Sequence, residues 1–381
     1  WEKTGMMLSA GHIKSTGYKQ NTDYIKWNLL GRFDVKFSQQ SQLTVQSNYV
    51  EGKGGDVYLW RNQHDALMVP VVSVNDRSNS HKFSFNTVYR QLINQKFTYK
   101  IRTSYFQNYW QHDYHDNDDF SDAQKLGIEL QADYMLSKKQ SFTFGIEGIY
   151  DITESAIFGD HDGSTIAAYI QDEIHLTKLI SATLGARFDH HQVDTGLEDT
   201  QLNPKAGLTI KPSLITTVRA SVGRGFRTPT MAELFSQTMT SGFKVIPNPE
   251  LKAERAWSYE IGLNQIINEH LLVDVAAFHN DYWNFIEPER DVQNVVQFSN
   301  VNRARIRGLE FLVQSSFWKR RIQSSVSYTM LDPEDVSTGK TLAYRPEHTL
   351  SLSVNLNLGN FDTGIDYRYV SELDTVKVYP D

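Results

Sequence analysis

The chain has 381 residues, 40% of them hydrophobic, with 45 acidic against 38 basic side chains and no cysteine. These figures exclude a disulfide scaffold, and a net charge of −7 without a basic tract argues against a nucleic-acid partner. No run approaches the roughly 18–20 apolar residues that a spanning helix needs, and no charged-then-apolar leader follows Trp1, so any export signal is expected upstream or already removed.

Taken in chain order, the segments share one pattern. Between Ile25 and Phe37, apolar Ile25, Trp27, Leu29, Phe33, Val35 and Phe37 alternate with Lys26, Asn28, Arg32, Asp34 and Lys36. Phe97, Tyr99, Ile101, Thr103 and Tyr105 alternate with Lys96, Thr98, Lys100, Arg102 and Ser104. The same reading holds over Leu126–Leu136, Phe142–Tyr150, Ile180–Phe188 and Trp257–Leu263, and again from Leu350 to Leu358, where leucines and Val354 alternate with serines and asparagines. A period of two means extended strands with one dry and one wet face. Many of these strands run about 11–15 residues, longer than the 5–6 of a globular strand and enough for the 9–11 of a tilted membrane strand.

Connections alternate in length. Tight ones are expected near Ser38–Ser41, Asn94–Gln95, Ser137–Gln140, Thr177–Leu179, Pro212–Ser213, Asn268–His270, Trp318–Arg320 and Gly359–Asn360. Longer polar ones are expected over Glu51–Ser80, Trp110–Asp122, Glu154–Gly163, Val193–Gln201, Arg227–Ala253, Glu287–Val296 and Leu331–Tyr344. One end of the sheet thus carries tight turns and the other broad loops, the asymmetry of an outer-membrane barrel. Aromatics on the dry parity near strand ends (Phe37, Phe97 and Phe142 by the turns; Tyr109, Tyr150 and Phe188 by the loops) fit interfacial girdles. The fold predicted is an all-β, transmembrane antiparallel β-barrel of about 17 visible strands, beginning near Met6 and ending near Val370. Because single-chain bacterial barrels are even-numbered, residues 1–381 are read as a partial barrel domain with strands missing at both ends.

Ordered phrases carry a resemblance. Ser221–Phe235 reads SVGRGFRTPTMAELF, Asn248–Leu263 reads NPELKAERAWSYEIGL, Asn300–Glu310 reads NVNRARIRGLE and Tyr344–Leu350 reads YRPEHTL. Upstream stand AAYIQDEIHLTKLISATLGARFDHH, from Ala167, and LNPKAGLTI, from Leu202. In content and order these resemble the barrel domain of TonB-dependent outer-membrane receptors. The resemblance implies a 22-stranded barrel, with two strands ahead and three behind. It also implies an N-terminal plug domain and a segment recruiting a TonB-type energy-coupling protein, neither of which the sequence shown contains. On this resemblance the protein is a receptor in the bacterial outer membrane, embedded in outer-membrane lipid. It captures a scarce bulky nutrient at extracellular loops and imports it; a ferric siderophore, a metal chelate, is the commonest ligand of the family, with haem, cobalamin and glycans as alternatives. A passive porin-like channel is the rival from another class, and a soluble all-β enzyme or adhesin a third reading. No Ser/His/Asp order, P-loop or HExxH occurs, so an enzyme is not expected, and no cofactor is implied.

Candidate residues follow from this frame. On the wet face, Glu129, Asp133, Glu147, Arg187, Arg219, Glu260 and Glu310 are expected to line a lumen and face the plug through ion pairs and water; in a soluble sheet they are ordinary solvated charges. Tyr58, Trp60, Arg61 and His64 in the longest loop, and Tyr282 and Trp283 beside Phe285, could stack on and pair with an anionic aromatic ligand; girdle or loop packing is the alternative. Arg224 and Arg227 are ligand candidates too, although shaping loops and strand corners accounts better for GRGFRTP, where Pro229 blocks ladder pairing. Gly308 is expected to leave bare backbone on the wet face for lumenal material to approach. The run Gln111–Asp119 holds the weak calcium candidates Asp116, Asp118 and Asp119, without EF-hand spacing, and a solvated loop is the plainer account.

Overall fold

A computed structural model describes residues 3–373 except Tyr58, Gln63, residues 114–117, Ser241, Gly242, Val292 and Asn294; the side chains of Asp118, Met239, Thr240, Phe243, Val301 and Asn302 are also outside it. The first eleven strands are β1 (Thr4–Ser15), β2 (Tyr24–Lys36), β3 (Ser41–Gly55), β4 (Arg77–Asn94), β5 (Phe97–Asp113), β6 (Asp118–Ser137), β7 (Gln140–Ser155), β8 (His161–His175), β9 (Ile180–Val193), β10 (Glu198–Ser213) and β11 (Thr216–Arg227). A short helix, α1 (Met231–Phe235), and the loop strands β12 (Thr238–Thr240) and β13 (Phe243–Ile246) follow. Then come β14 (Glu254–Asn268), β15 (Leu271–Arg290), β16 (Val295–Phe317), β17 (Ile322–Asp335), the two-residue β18 (Lys340–Thr341), β19 (His348–Asn357) and β20 (Asp362–Val370).

Setting aside the loop strands β12, β13 and β18, the remaining seventeen form one antiparallel meander, each paired with its neighbours in sequence. Seventeen is the number expected from alternation, and all eight tight turns fall where expected. The broad loops are narrower than expected at their bases. β5 and β6 extend to Asp113 and from Asp118, β9 and β10 to Val193 and from Glu198, and β15 and β16 to Arg290 and from Val295. Polar residues there looked like loop, yet hairpins whose two faces are both wet need no apolar parity. The longest connections are 56–76 and 228–253.

Register keeps parity across the whole wall. One row runs Lys100, Gln131, Gly145, Tyr169 and another Asn203, Arg187, all on the polar face. The opposite face carries Leu130 beside Ile146 and Leu208 beside Ala220 and Ile261. Its large apolar side chains are open: Ile128 is 58% exposed, Ile146 59%, Ile166 67% and Ile365 69%. No second layer packs on the Leu350–Leu356 row among the described residues; it pairs sideways with Tyr328, Val326, Tyr367 and Ile365. Total accessible surface is 23855 Å². A globular chain of 43.7 kDa exposes roughly 15,000 Å². The molecule is a single curved layer without the core that a sandwich requires.

Three wall glycines serve neighbouring side chains on the polar face. A Cβ on Gly145 would lie 2.5 Å from the Tyr169 ring, and one on Gly262 2.5 Å from the Arg219 guanidinium. At Gly308 the material that comes close is Phe278, its cross-strand partner, whose ring occupies the place of the missing Cβ. This corrects the expectation that lumenal matter from elsewhere fills that niche. By contrast, nothing stands within 4 Å of a Cβ on Gly225. Gly145→Val is therefore expected to cost about 1–3 kcal/mol by displacing Tyr169, whereas Gly225→Ala should be near neutral. Denaturant midpoints of the two variants check this, and equal midpoints would refute it.

Candidate lumenal face and loop-end mouth

The polar face is a chain of ion pairs between strands. Arg102 of β5 pairs with Glu129 of β6, which also accepts the Tyr169 hydroxyl at 2.6 Å. Arg187 of β9 lies 5.8 Å above that tyrosine ring and donates to Glu147 at 2.6 Å and Asp189 at 2.7 Å. Lys100 meets Asp133 at 3.1 Å, and Thr143 and Gln131 donate to the same carboxylate. Arg219 bridges Glu260 at 2.9 Å and Asp274 at 2.9 Å. Six of the seven lumenal candidates are thus paired within the wall itself. Glu310 is exposed and makes no such contact among the described residues.

At the loop end, residues 228–253 build a small core on this same face. Arg227 ends β11 with its guanidinium donating to both Glu254 and Glu233 at 2.8 Å. Pro229 stops the ladder, and Thr230 caps α1: its hydroxyl accepts from the Glu233 N–H at 3.2 Å, while the Glu233 carboxylate accepts from the Thr230 N–H at 2.8 Å. This capping box is written in the sequence as Thr230-x-x-Glu233, the signal by which the helix could have been anticipated. Leu234 is fully buried with Leu251 and Ile286, and Leu197, Phe235 and Phe298 close around them. Asn248 fastens the loop by donating its N–H to the Leu234 carbonyl at 2.8 Å and its amide to the Phe298 carbonyl at 2.7 Å. Asn300 does the same for Lys252, accepting from its N–H at 2.9 Å and donating to its carbonyl at 3.0 Å.

The loop reaches far to both sides. β13 adds in parallel to the outer part of β16, over Val295–Gln297. At the other flank the Gln237 N–H donates to Ile157 between β7 and β8, and the Phe235 ring stacks on His161 at 3.7 Å. His161 in turn meets Asp194 at 3.2 Å. The described residues of 228–253 therefore form an arch over the strands from β7 to β16.

The ligand candidates separate. Tyr282 points to the polar face and is half-buried, with Phe285 edge-on at 5.6 Å; Arg345 lies 5.3 Å over Phe285 and 3.7 Å from Glu287. Arg345, in the YRPEH phrase, was not singled out from sequence because its partners lie some sixty residues upstream in the chain. Trp283 has the opposite parity and lies on the outer face under Arg303 at 5.5 Å. Arg224 fills a split: the β10–β11 ladder stops at Lys205 and Gly223, beside Pro204, which has no N–H to donate. There Arg224 donates to the freed Leu202 carbonyl at 2.6 Å and to Gln201 at 2.8 Å. Trp60, Arg61 and His64 sit in the other long loop, Trp60 under Lys19 at 4.4 Å and Arg61 beside Asp65 at 3.2 Å. That loop docks on residues 16–23, with the Gln20 N–H donating to Leu67 and the Asn21 amide to Ser73. Tyr58 and Asp116 lie outside the described residues, as does the Asp118 side chain. Asp119 stands in β6 opposite His112 rather than in a loop, and among the described residues no three His, Asp or Glu side chains gather for a metal.

The TonB dependent receptor-like β-barrel family model matches residues 8–379. The chain belongs to that family. It is 28% identical to the ferric enterobactin receptor PirA of Pseudomonas aeruginosa over 211 residues, which is 50% of this chain and 28% of that protein. It is 28% identical to the ferrienterobactin receptor of Escherichia coli over 205 residues, 49% of this chain and 27% of that one. Among solved structures, the siderophore receptor PirA from Acinetobacter baumannii superposes with a TM-score of 0.77 at 16% identity, covering 96% of this chain and 63% of that chain. A variant of the ferric enterobactin receptor PfeA from Pseudomonas aeruginosa, in complex with enterobactin, gives 0.79 at 15%, covering 98% and 64%. These likenesses show the barrel fold, and the chain spans less than two thirds of the length of each of these proteins.

Glu233 is the charged hinge of the arch. Burial pushes its carboxyl up, but the Arg227 guanidinium and the Thr230 N–H outweigh burial and hold it below the ordinary glutamate value. A lowered folded pKa contributes stability above the unfolded value, and that stability disappears as pH falls through the lowered one. Glu233→Gln is expected to cost about 1 kcal/mol at pH 7, and acidification from pH 4.5 downward should erase the difference. Exchange protection of the Leu234 amide, which donates to Thr230 at 3.0 Å, is the readout; equal protection in both proteins at pH 7 would refute this role.

Proposed function

We propose that this chain forms the wall of a bacterial outer-membrane receptor that captures a ferric siderophore at its loop end. Import then depends on its own N-terminal plug domain and a TonB-type energy-coupling protein. The carrying observation is the two-faced single layer: an outer face of open apolar side chains suited to lipid, and an inner face whose charges pair with one another around a wide interior. The siderophore class is favoured by the relatives, two of which are named as ferric enterobactin receptors. Arg227 and Tyr282 supply a cationic and an aromatic group on the inner side of the mouth, with Phe285 and Arg345 beside Tyr282, the chemistry that suits an anionic aromatic chelate. Capture needs differential affinity between plug states and no bond-making group, so the reading is of a transporter rather than an enzyme.

The lumenal charges acquire a role in this scheme. With six candidates paired in the wall, a plug would meet a surface already neutralised, and Glu310 is the acid left to receive a plug cation or bridging water. Strands β1 and β20 have no partner on their outer sides among the described residues. Since open edges are not tolerated in lipid, further strands are read as closing the barrel.

Two measurements test this. Leu352→Arg, on the outer face, is expected to cost about 2–4 kcal/mol for folding into lipid vesicles, whereas Ser353→Arg, on the inner face, costs far less; equal effects would overturn the membrane reading. Ferric enterobactin should quench tryptophan fluorescence saturably, and Tyr282→Ala with Arg345→Ala should weaken binding by about tenfold or more. Steady ion conductance with no siderophore binding would replace the receptor by a channel.

A further inference from the structure

The outer face is not uniform. Between β10 and β15 its apolar surface is indented by a groove of about 600 Å³, where Ala206, Ala220 and Ala277 stand among Leu208, Tyr259 and Ile261. Register places all six on the outer parity, on adjoining rungs. Small residues between large ones leave a trough that crosses the four strands over two adjoining rungs, and its lining is almost wholly apolar.

Above the trough, toward the long loops, the same strands change character. Tyr259 is followed one rung up by Trp257, the two rings stacked at 6.3 Å, an aromatic pair of the kind that sits at a membrane–water boundary. Level with Trp257 stands Arg224, one rung or about 7 Å above Val222, and one rung higher stands Arg255. Other arginines of this sector are matched by acids: Arg305 with Asp281 at 3.0 Å, and Arg307 with Asp332 and Glu334 at 3.7 Å. Arg255 is matched by Asp199 at 3.8 Å, whereas Arg224 has no acid partner among the described residues. It donates there to the neutral Leu202 carbonyl and to Gln201, so two arginines share the single carboxylate of Asp199. In a chain of net charge −7, a local cationic surplus directly over a greasy trough calls for an anion with a tail.

We propose that this sector binds one lipid carrying an anionic phosphate headgroup, with an acyl chain in the trough at Ala206, Ala220 and Ala277 and the phosphate on Arg224 and Arg255. The inference rests on the outer face being lipid-facing, as proposed above. The guanidinium fork suits a phosphate, and a desolvated contact at the interface holds the headgroup more tightly than a screened surface charge. The split between β10 and β11 fixes the position of Arg224, so the site is built by Pro204 as well as by charge.

The test is native mass spectrometry of the full protein released from nanodiscs containing equal phosphatidylglycerol and phosphatidylcholine with identical chains. One phosphatidylglycerol is expected to be retained in preference. Arg255→Gln should lower that preference about fivefold, and Ala220→Leu, which fills the trough and leaves every charge in place, should lower retention of both lipids. Equal retention of the two lipids, retention of neither, or a preference unchanged in Arg255→Gln would overturn the proposal while leaving the membrane reading intact. Heat-modifiable migration of each variant confirms that it is folded. A folded wild-type protein that refuses to enter nanodiscs would instead overturn the membrane reading, and this site with it.

Discussion

Everything in this structure depends on parity being preserved through one continuous hydrogen-bonded ladder. Side chains alternate with a period of two, so a slip of one residue between any two strands would turn a row of leucines inward and a row of carboxylates outward. Across the seventeen wall strands the register nowhere makes that exchange within the long paired stretches. Leu130 meets Ile146 and Ile101, while Glu129 meets Glu147 and Arg102. Ion pairs such as Arg219 with Glu260 and Asp274 reinforce the choice, because they form only when three neighbouring strands are in step. Exposed pairs contribute little stability singly; here their value is in specifying register.

The inner face also shows how such a wall holds long side chains without a core to bury them. Tyr169, Arg219 and Phe278 lie flat against the sheet, each over a glycine of an adjacent strand. Lying flat keeps the polar tips of Tyr169 and Arg219 within reach of neighbouring carboxylates. Glycine in a strand interior is ordinarily a weakness, but in this wall it supplies the space that arranges charge.

Much of this was legible in the alternating residues. Strand number, tight turns and the two faces follow from the period of two, and the place of the acids on the polar face follows from parity alone. The helix Met231–Phe235 was not anticipated because five residues carry no periodicity, although its capping box was visible. The grouping of Tyr282 with Trp283 fails for a simple reason: adjacent residues on a strand face opposite sides. Arg345 and the arch were invisible because they depend on meetings between segments separated by dozens of residues, such as Asn248 with Phe298 and Phe235 with His161. The loop-end extensions of the hairpins do not stand out in the sequence since, once both faces are wet, nothing apolar marks a strand.

The hydrophobic cluster of buried side chains found among the described residues, Leu234 with Leu251 and Ile286, sits at the loop end and not in the wall. This placement has a physical logic. The wall is held by backbone ladders, which resist shear but have no packed centre to transmit a shift. The arch is held by side-chain packing, one capping box and a few amide clamps, and it touches strands from β7 to β16. Packed cores switch between discrete arrangements rather than deforming continuously. The sequence concentrates that packing at the loop end, in the phrases GRGFRTP, AELF and NPEL and at Asn300, which the fold brings together into one knot.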